Sequence, residues 1–227
     1  KSLPGWKAKV LLESGLIRLS SGSHPHVYGH SQHNNGIIPN ITNAIQIAEG
    51  NMSGYALTSD GSVWSWGYNY FAKGNLGQPD IGINTYDRPP GLVDGIGPGS
   101  GAIKIISRKF GLMILFSDGT VKGFGENNND VLLQGTNDDQ LNTVTLTTLP
   151  KLKDLSMIGE NTFIGVKQDD TLIAWPTNNF ITNWVSSDPN GVVSIDRSEL
   201  FASVDVINET KIPSSQTFGY AINVRKD

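Results

Sequence analysis

Gly54 to Gly77 reads Gly-Tyr-Ala-Leu-Thr-Ser-Asp-Gly-Ser-Val-Trp-Ser-Trp-Gly-Tyr-Asn-Tyr-Phe-Ala-Lys-Gly-Asn-Leu-Gly, and this stretch decides the fold class. Within it, the apolar runs 55–57 and 63–66 flank Ser59-Asp60-Gly61. An Asp-Gly pair between two short apolar runs is a strong hairpin signal, because glycine accepts the positive φ of a tight turn. The stretch therefore predicts a β-hairpin.

The same element recurs along the chain. The residues that stand at the position of Asp60 in its successive copies are Ser14, Asp60, Asp118, Asp169 and Asp227. In the copy at Asp169, Asp170 replaces the turn glycine. These markers are 46, 58, 51 and 58 residues apart, and internal periods of roughly 20–50 residues are typical of solenoids and propellers. The recurrence favours a repeat architecture.

Each marker from Asp60 onward follows a further apolar segment, and these segments are 44–48, 102–106, 155–158 and 210–212. Each period thus has at least three short strands and a long variable loop. The loops 78–100 and 126–140 are too polar to form a core of their own. Residues 192–206 look like two additional strands, either a decayed extra repeat or an elaborated loop.

Composition agrees with an all-β protein and excludes several function classes. The 227 residues include 26 glycines and only 17% charged residues, which suits many strands joined by turns. A net charge of -4 disfavours a nucleic-acid binder, and the absence of cysteine excludes disulfides and cysteine-based sites. No apolar run approaches the ~20 residues that span a bilayer, so we expect no membrane insertion by this segment. Because the chain begins at Lys1 without methionine, we expect a mature or excised segment.

The motif from Ala56 to Asn69, with Gly74 and Leu76-Gly77 after it, resembles the repeat of the RCC1-like (regulator of chromosome condensation) β-propeller family. The resemblance implies that each ~50-residue repeat supplies the four strands of one blade. Residues 1–227 are then a single propeller domain or a segment of one, with four to five blades of a seven-bladed ring. The remaining blades are expected in a longer parent chain, in another domain or subunit, or are absent because the ring is unusual.

The chain departs from the family pattern in one respect. The family has Gly-x-x-His before the Ala-Leu strand, whereas this chain has Gly50-Asn51-Met52-Ser53. The departure argues against the branch that exchanges guanine nucleotides. Diverged repeats of this kind resemble those of bacterial surface proteins and phage tail proteins, which predicts an extracellular, cell-surface or virion location.

Two groups of repeated residues are interpreted as structural. We expect the aromatic residues at matching strand positions to pack between adjacent blades; they are Trp64, Trp66, Phe124 and Trp175. The turn aspartates stand on separate blades, so we expect turn chemistry rather than paired catalytic carboxylates.

The candidate binding residues lie in the loop after the best-preserved hairpin, because aromatic residues in loops are enriched at recognition sites. They are Tyr68, Asn69, Tyr70, Phe71 and Lys73. The alternative is a loop that folds over its own blade.

Two segments raise the question of a metal. All four histidines fall within residues 24–33, which is either a polar loop or a zinc-type site. The acidic segment 126–139 offers oxygen ligands for calcium but lacks the regular spacing of an EF-hand. We predict no metal and no cofactor.

No Ser-His-Asp set can be assembled, because the histidines share one loop, and we predict that the chain is not an enzyme. The leading hypothesis is a binding module of a bacterial or phage surface protein, whose propeller loops recognise a protein or glycan. The alternative is a regulatory propeller that acts on a protein partner, either by guanine-nucleotide exchange on a small GTPase or by inhibition of an enzyme.

Overall fold

The structure is a computed structural model that describes residues 9–11, 16–19, 38–51, 53–69, 73–79, 88–158, 162–176 and 193–195. Several predictions lie outside these residues: the four-histidine segment 24–33, Tyr70, Phe71, the apolar segment 210–212 and the copy at Asp227. Within the described ranges, no helix is long and apolar enough to cross a membrane.

The described residues form one hairpin and three four-stranded antiparallel sheets, which we call the first, second and third blades. The hairpin pairs β1 (Lys9–Leu11) with β2 (Ile17–Leu19). The first blade consists of β3 (Ala44–Glu49), β4 (Ser53–Thr58), β5 (Val63–Gly67) and β6 (Arg88–Leu92). The second consists of β7 (Ala102–Arg108), β8 (Gly111–Phe116), β9 (Val121–Gly125) and β10 (Gln140–Thr145). The third consists of β11 (Leu152–Ile158), β12 (Thr162–Lys167), β13 (Leu172–Trp175) and β14 (Val193–Ile195).

The predicted hairpins and their turn chemistry are confirmed for the copies at Asp60, Asp118 and Asp169, and the turn at Ser14 lies outside the described residues. Asp60 Oδ1 accepts hydrogen bonds from Thr58 Oγ1 at 2.6 Å and from the Ser62 amide at 3.0 Å. Gly61 has a φ of +85°, and Asp170, which replaces the glycine in the third blade, has a φ of +68°. Aspartate is one of the few residues besides glycine that tolerates this region of φ.

The loop prediction for residues 78–100 is wrong in part, because Arg88–Leu92 is the fourth strand of the first blade. A search for apolar runs misses this strand, because the strand contains Pro89 and Pro90. Proline is tolerated there because, among the described strands, β6 is the outermost of its sheet and pairs with β5 alone. For residues 192–206, the described part Val193–Ile195 pairs with β13, so it belongs to the third blade.

Each central strand is buried on both sides, which is why its sequence is continuously apolar or small rather than alternating. In β8, Leu112 and Ile114 face the first blade, whereas Met113 and Leu115 face the third. The aromatic prediction is confirmed. Trp66 packs between the first hairpin and the first blade, Phe124 between the first and second blades, and Trp175 between the second and third. Trp64 is half-buried against the cluster around Trp66.

The first strands of successive blades contact one another, so they form the inside of the arrangement. Because the strands are antiparallel, the segments between them emerge at two opposite ends. The turn end carries the hairpin turns 59–62, 117–120 and 168–171. The loop end carries the segments 68–79 and 126–139.

Candidate functional site

The predicted binding segment begins at the loop end of the first blade and is less exposed than its sequence suggested. Tyr68 and Asn69 are each only 3% exposed. Lys73 is half-buried, and Tyr70 and Phe71 lie outside the described residues. A binding role for this segment stays a prediction, but Tyr68 and Asn69 offer no surface to a partner.

Buried hydrogen bonds fold this loop back over its own blade. The Asn75 side-chain amide donates to Tyr68 O at 2.6 Å, and the Tyr55 hydroxyl donates to Asn75 O at 2.5 Å. Ser65 Oγ donates to Leu76 O at 2.6 Å. Burial raises the pKa of the Tyr55 hydroxyl far above its ordinary value, so this group stays a protonated donor. The alternative of a loop that folds over its own blade therefore describes these residues.

The matching loop of the second blade shows what an asparagine does at this position. Asn127 is fully buried; its side-chain amide donates to Thr136 O at 2.8 Å, and its Oδ1 accepts from the Leu132 amide at 2.8 Å. Asn69 and Asn127 each follow by two residues a glycine with the same backbone twist, since Gly67 and Gly125 have φ of +105° and +104°. The repeated Gly-x-Asn is the sequence signal that would have placed Asn69 and Asn127 at equivalent, buried positions.

The acidic segment 126–139 uses its carboxylates on its own backbone. Asp130 Oδ1 accepts from the Gln134 amide at 2.7 Å, and its Oδ2 accepts from the Gly135 amide at 2.9 Å. Asp139 Oδ1 accepts from the Asn127 amide at 2.9 Å. The part of the chain that the structure describes contains no group of three acidic or histidine side chains fit to hold a metal ion. The calcium alternative therefore finds no ligand set in this segment.

Lys73 joins the two loops across the boundary between the first and second blades. Its Nζ lies 3.0 Å from Glu126 Oε1 and 3.2 Å from Asp139 Oδ2. The pKa of Lys73 is raised, chiefly by its hydrogen bond to Glu126, so this contact stabilises the protonated, charged form of the lysine. The backbones of the two loops are also in close contact, because a Cβ built at Gly74 would lie 2.6 Å from Gln140 O. Lys73 thus fixes one loop against the other.

Beneath this junction lies Arg108, whose guanidinium is buried. Its Nη2 donates to Glu126 O, while its Nε and Nη1 are buried without a hydrogen-bond partner. Burial lowers the pKa of Arg108 to about 10, and the charges of Glu126 and Asp139 partly offset that effect. With Lys73, Arg108 makes a charge-balanced cluster that fixes the loop end rather than leaving a free charge for a ligand.

What the loop end exposes is a small polar and apolar rim around these fixed loops. Asn128, Asn129 and Asp138 are exposed, and Leu141, which follows at the start of β10, is 53% exposed. We call residues 128–129, 138 and 141 the loop-end rim. The rim lies on the second blade, one blade after the segment that holds the predicted binding residues.

No family model matches the chain, and solved structures supply the comparison. It is similar to human WBSCR16, with 15% sequence identity, a TM-score of 0.63, and coverage of 85% of this chain and 50% of the other. It is also similar to Prp20p from Saccharomyces cerevisiae, whose binding to Gsp1p and histones has been characterised, with 18% identity and a TM-score of 0.60. That match covers 84% of this chain and 48% of the other.

A third similar structure is yeast RCC1 (Prp20) bound to Kap60, with 18% identity, a TM-score of 0.60, and coverage of 86% of this chain and 47% of the other. The chain therefore spans about half the length of the solved structures that it matches. Its blades follow one another in chain order, each a four-stranded antiparallel sheet that packs face to face on its neighbours. Together, the blades and these likenesses show that the chain has an RCC1-like β-propeller fold.

Proposed function

We propose that this chain is a β-propeller, or a segment of one, that acts by binding a protein partner in a regulatory role. The observation that carries the proposal is its fold, since Prp20p, of the same fold, binds Gsp1p and histones and has been solved with Kap60. Propellers of this kind use a fixed scaffold whose loops differ from blade to blade. The two loops at the loop end differ in sequence and are both anchored by buried hydrogen bonds.

The loop-end rim is the surface that we assign to this function. Its loops are held by the Lys73 ion pairs and by Asn127, so little conformational entropy is lost when a partner docks. Leu141 supplies the exposed apolar side chain that such a contact needs. Asp138 and Asn129 supply polar groups around it.

The test compares Leu141→Asp with Leu92→Asp. Both leucines lie on outermost strands and are exposed, at 53% and 38%, but Leu92 lies at the turn end. A protein captured by the whole chain is purified and titrated by calorimetry against the wild type and both variants. We expect Leu141→Asp to weaken binding by about tenfold or more, as for a central interface residue, and Leu92→Asp to leave it unchanged. Equal affinities for all three chains would refute the assignment of the loop-end rim.

The narrower functions remain proposals that separate assays distinguish. Guanine-nucleotide exchange predicts faster nucleotide release from at least one GTPase of a purified panel. Enzyme inhibition predicts loss of the captured partner's activity at stoichiometric chain. Adhesion at a bacterial or phage surface, with the extracellular location that it implies, predicts specific signals on a glycan array or with a purified receptor. In all of them the chain binds and performs no catalysis of its own.

A further inference from the structure

The inner strand of every blade carries the same irregularity near the turn end. The pairing register shifts between Ala44 and Gln46 in the first blade, and the second and third blades repeat the shift at the equivalent residues. One residue of each inner strand is therefore bulged out of the ladder, and bulges re-aim side chains. The bulged residues are Ile45, Ile103 and Lys153.

Two of these bulges expose large apolar side chains on adjacent strands. Ile45 is 57% exposed and Ile103 is 49% exposed. Their strands are joined because the Gln46 side-chain amide donates to Ile105 O at 2.7 Å and its Oε1 accepts from the Ile105 amide at 2.9 Å. The two isoleucines are therefore exposed apolar side chains at equivalent positions of two inner strands that are bonded to each other.

Asp60 lies between them at the turn end. The Ser59 amide donates to Asn43 O at 2.9 Å, two residues before Ile45. The Gly99 amide donates to Asp60 O at 2.7 Å, four residues before Ile103. The turn that carries Asp60 is thus bonded to the segments that lead into both bulges.

The second and third blades show how the chain itself neutralises such turn carboxylates. Lys151 Nζ lies 2.7 Å from Asp118 Oδ2, and Lys167 Nζ lies 3.5 Å from Asp169 Oδ2. The bulged Lys153 forms an ion pair with Asp170, the residue after the turn aspartate of the third blade. In the first blade the residue equivalent to Lys153 is Ile45. For the turn at Asp60, the residue equivalent to Lys151 is Gly101.

Asp60 consequently lacks the cation that its counterparts have. Asp60 is exposed, and one oxygen of its carboxylate accepts the turn bonds from Thr58 and Ser62. Among the residues that the structure describes, no lysine or arginine forms an ion pair with it. An exposed carboxylate beside two exposed isoleucines complements a cationic group next to an apolar one.

We propose that Ile45, Asp60 and Ile103 form a docking surface for a protein segment in which a lysine or arginine stands next to an apolar side chain. The partner's cation takes the place that Lys151 takes beside Asp118, and its apolar side chain covers the two isoleucines. The proposal rests on the proposed protein-binding function. It adds the chemistry of a partner segment that binds at the turn end, opposite the loop-end rim.

The test uses the whole chain and an eight-residue acetylated peptide of alternating leucine and lysine, followed by NMR. We expect saturable shifts of the Ile45 and Ile103 methyl resonances and of the Asp60 amide. Ile45→Lys, which imitates Lys153, weakens binding by about tenfold because it removes apolar contact and supplies an internal cation. Asp60→Asn keeps the turn bond and weakens binding about threefold, as expected for an exposed ion pair. Asp118→Asn is the matched control and leaves binding unchanged.

Three results overturn the proposal. If a peptide with serine in place of leucine binds equally well, general charge attraction explains the binding and the isoleucines play no part. Shifts confined to other residues place the peptide elsewhere, and methyl shifts that depend on protein concentration without peptide show that a second copy covers the surface. If any of these occurs while Leu141→Asp still weakens binding of the purified partner, only the docking surface at Ile45, Asp60 and Ile103 is refuted. If the partner binds all variants equally and the peptide still behaves as expected, only the loop-end assignment fails.

Discussion

A side chain at position 54 has no room, because Gly54 is paired across the sheet with Trp66. A Cβ built on Gly54 would lie 2.6 Å from Trp66 Cζ2, far inside the ~3.5 Å of normal carbon contact. Trp66 is fully buried against the cluster that includes Ile17 and Ala56, so its ring cannot swing into solvent. We therefore predict that Gly54→Ala forces the indole out of its packing.

The cost follows from two opposing terms. Overpacking of a tight core costs about 1–3 kcal/mol, and loss of glycine freedom in the unfolded chain returns about 0.4–1 kcal/mol. The net loss is about 1.5 kcal/mol, which at an m-value of about 2.5 kcal/mol/M lowers the urea midpoint by about 0.6 M. Gly97→Ala is the matched control, because a Cβ there meets no atom within 4 Å. Its midpoint is expected to stay unchanged or rise slightly.

A double-mutant cycle tests the cause as well as the size of the effect. In a Trp66→Leu background the smaller side chain leaves space, so Gly54→Ala should cost less than about 0.5 kcal/mol there. The coupling between the two positions is then about 1 kcal/mol. If Gly54→Ala lowers the urea midpoint equally in both backgrounds, the clash with the indole is not the reason for glycine at this position.

Three further predictions concern other parts of the scaffold. Gln46→Leu leaves the amide and carbonyl of Ile105 without their hydrogen-bond partner across the blade boundary. It should lower the unfolding free energy by about 1–3 kcal/mol in urea titrations. An unchanged midpoint would contradict a stabilising role for Gln46. Asn127→Ala should speed hydrogen exchange of the Leu132 amide, which loses its acceptor, and protection equal to wild type would show that the loop does not depend on that bond. Hydrogen bonds from a lysine and a threonine hold the pKa of Asp118 below its ordinary value. The stability from this carboxylate is therefore complete above the unfolded pKa of about 3.9 and is lost as pH falls through the lower folded pKa. Urea midpoints between pH 6 and pH 2 should accordingly fall less for Asp118→Asn than for wild type, and parallel curves would argue against the linkage.

The blade unit was predictable from the sequence because its signals are local. Asp-Gly turns and short apolar runs fix hairpins without knowledge of their neighbours, and the buried aromatic residues follow from strand alternation. The outermost strand Arg88–Leu92 was not predictable, because an edge strand needs neither an apolar pattern nor all of its backbone donors. The inner bulges also leave no signal in the apolar pattern, since each is a shift in register between the first and second strands of a blade.

The burial of part of the predicted binding segment was not predictable for a related reason. Aromatic residues in a loop indicate recognition only when the loop leaves them exposed. Here Asn75 and Ser65 draw the chain back over its blade, so Tyr68 is used for packing. That outcome depends on buried side-chain bonds between residues up to 20 positions apart, such as Tyr55 to Asn75, which no periodicity reports.

The inner strands also differ in how they join successive blades, and this difference bears on where function is placed. Gln46 joins the first blade to the second through two bonds to the backbone of Ile105, whereas Lys104 joins the second to the third through an exposed ion pair with Asp154. Exposed ion pairs contribute at most about 1 kcal/mol and are screened by salt, but amide-to-backbone bonds are not. Because blades interact mainly with their nearest neighbours, stability is close to a sum of such interface terms. The first two blades are therefore joined by bonds that salt does not screen, in addition to the Lys73 ion pairs at the loop end. Both proposed surfaces lie on that pair, where a docking partner meets groups already held in place.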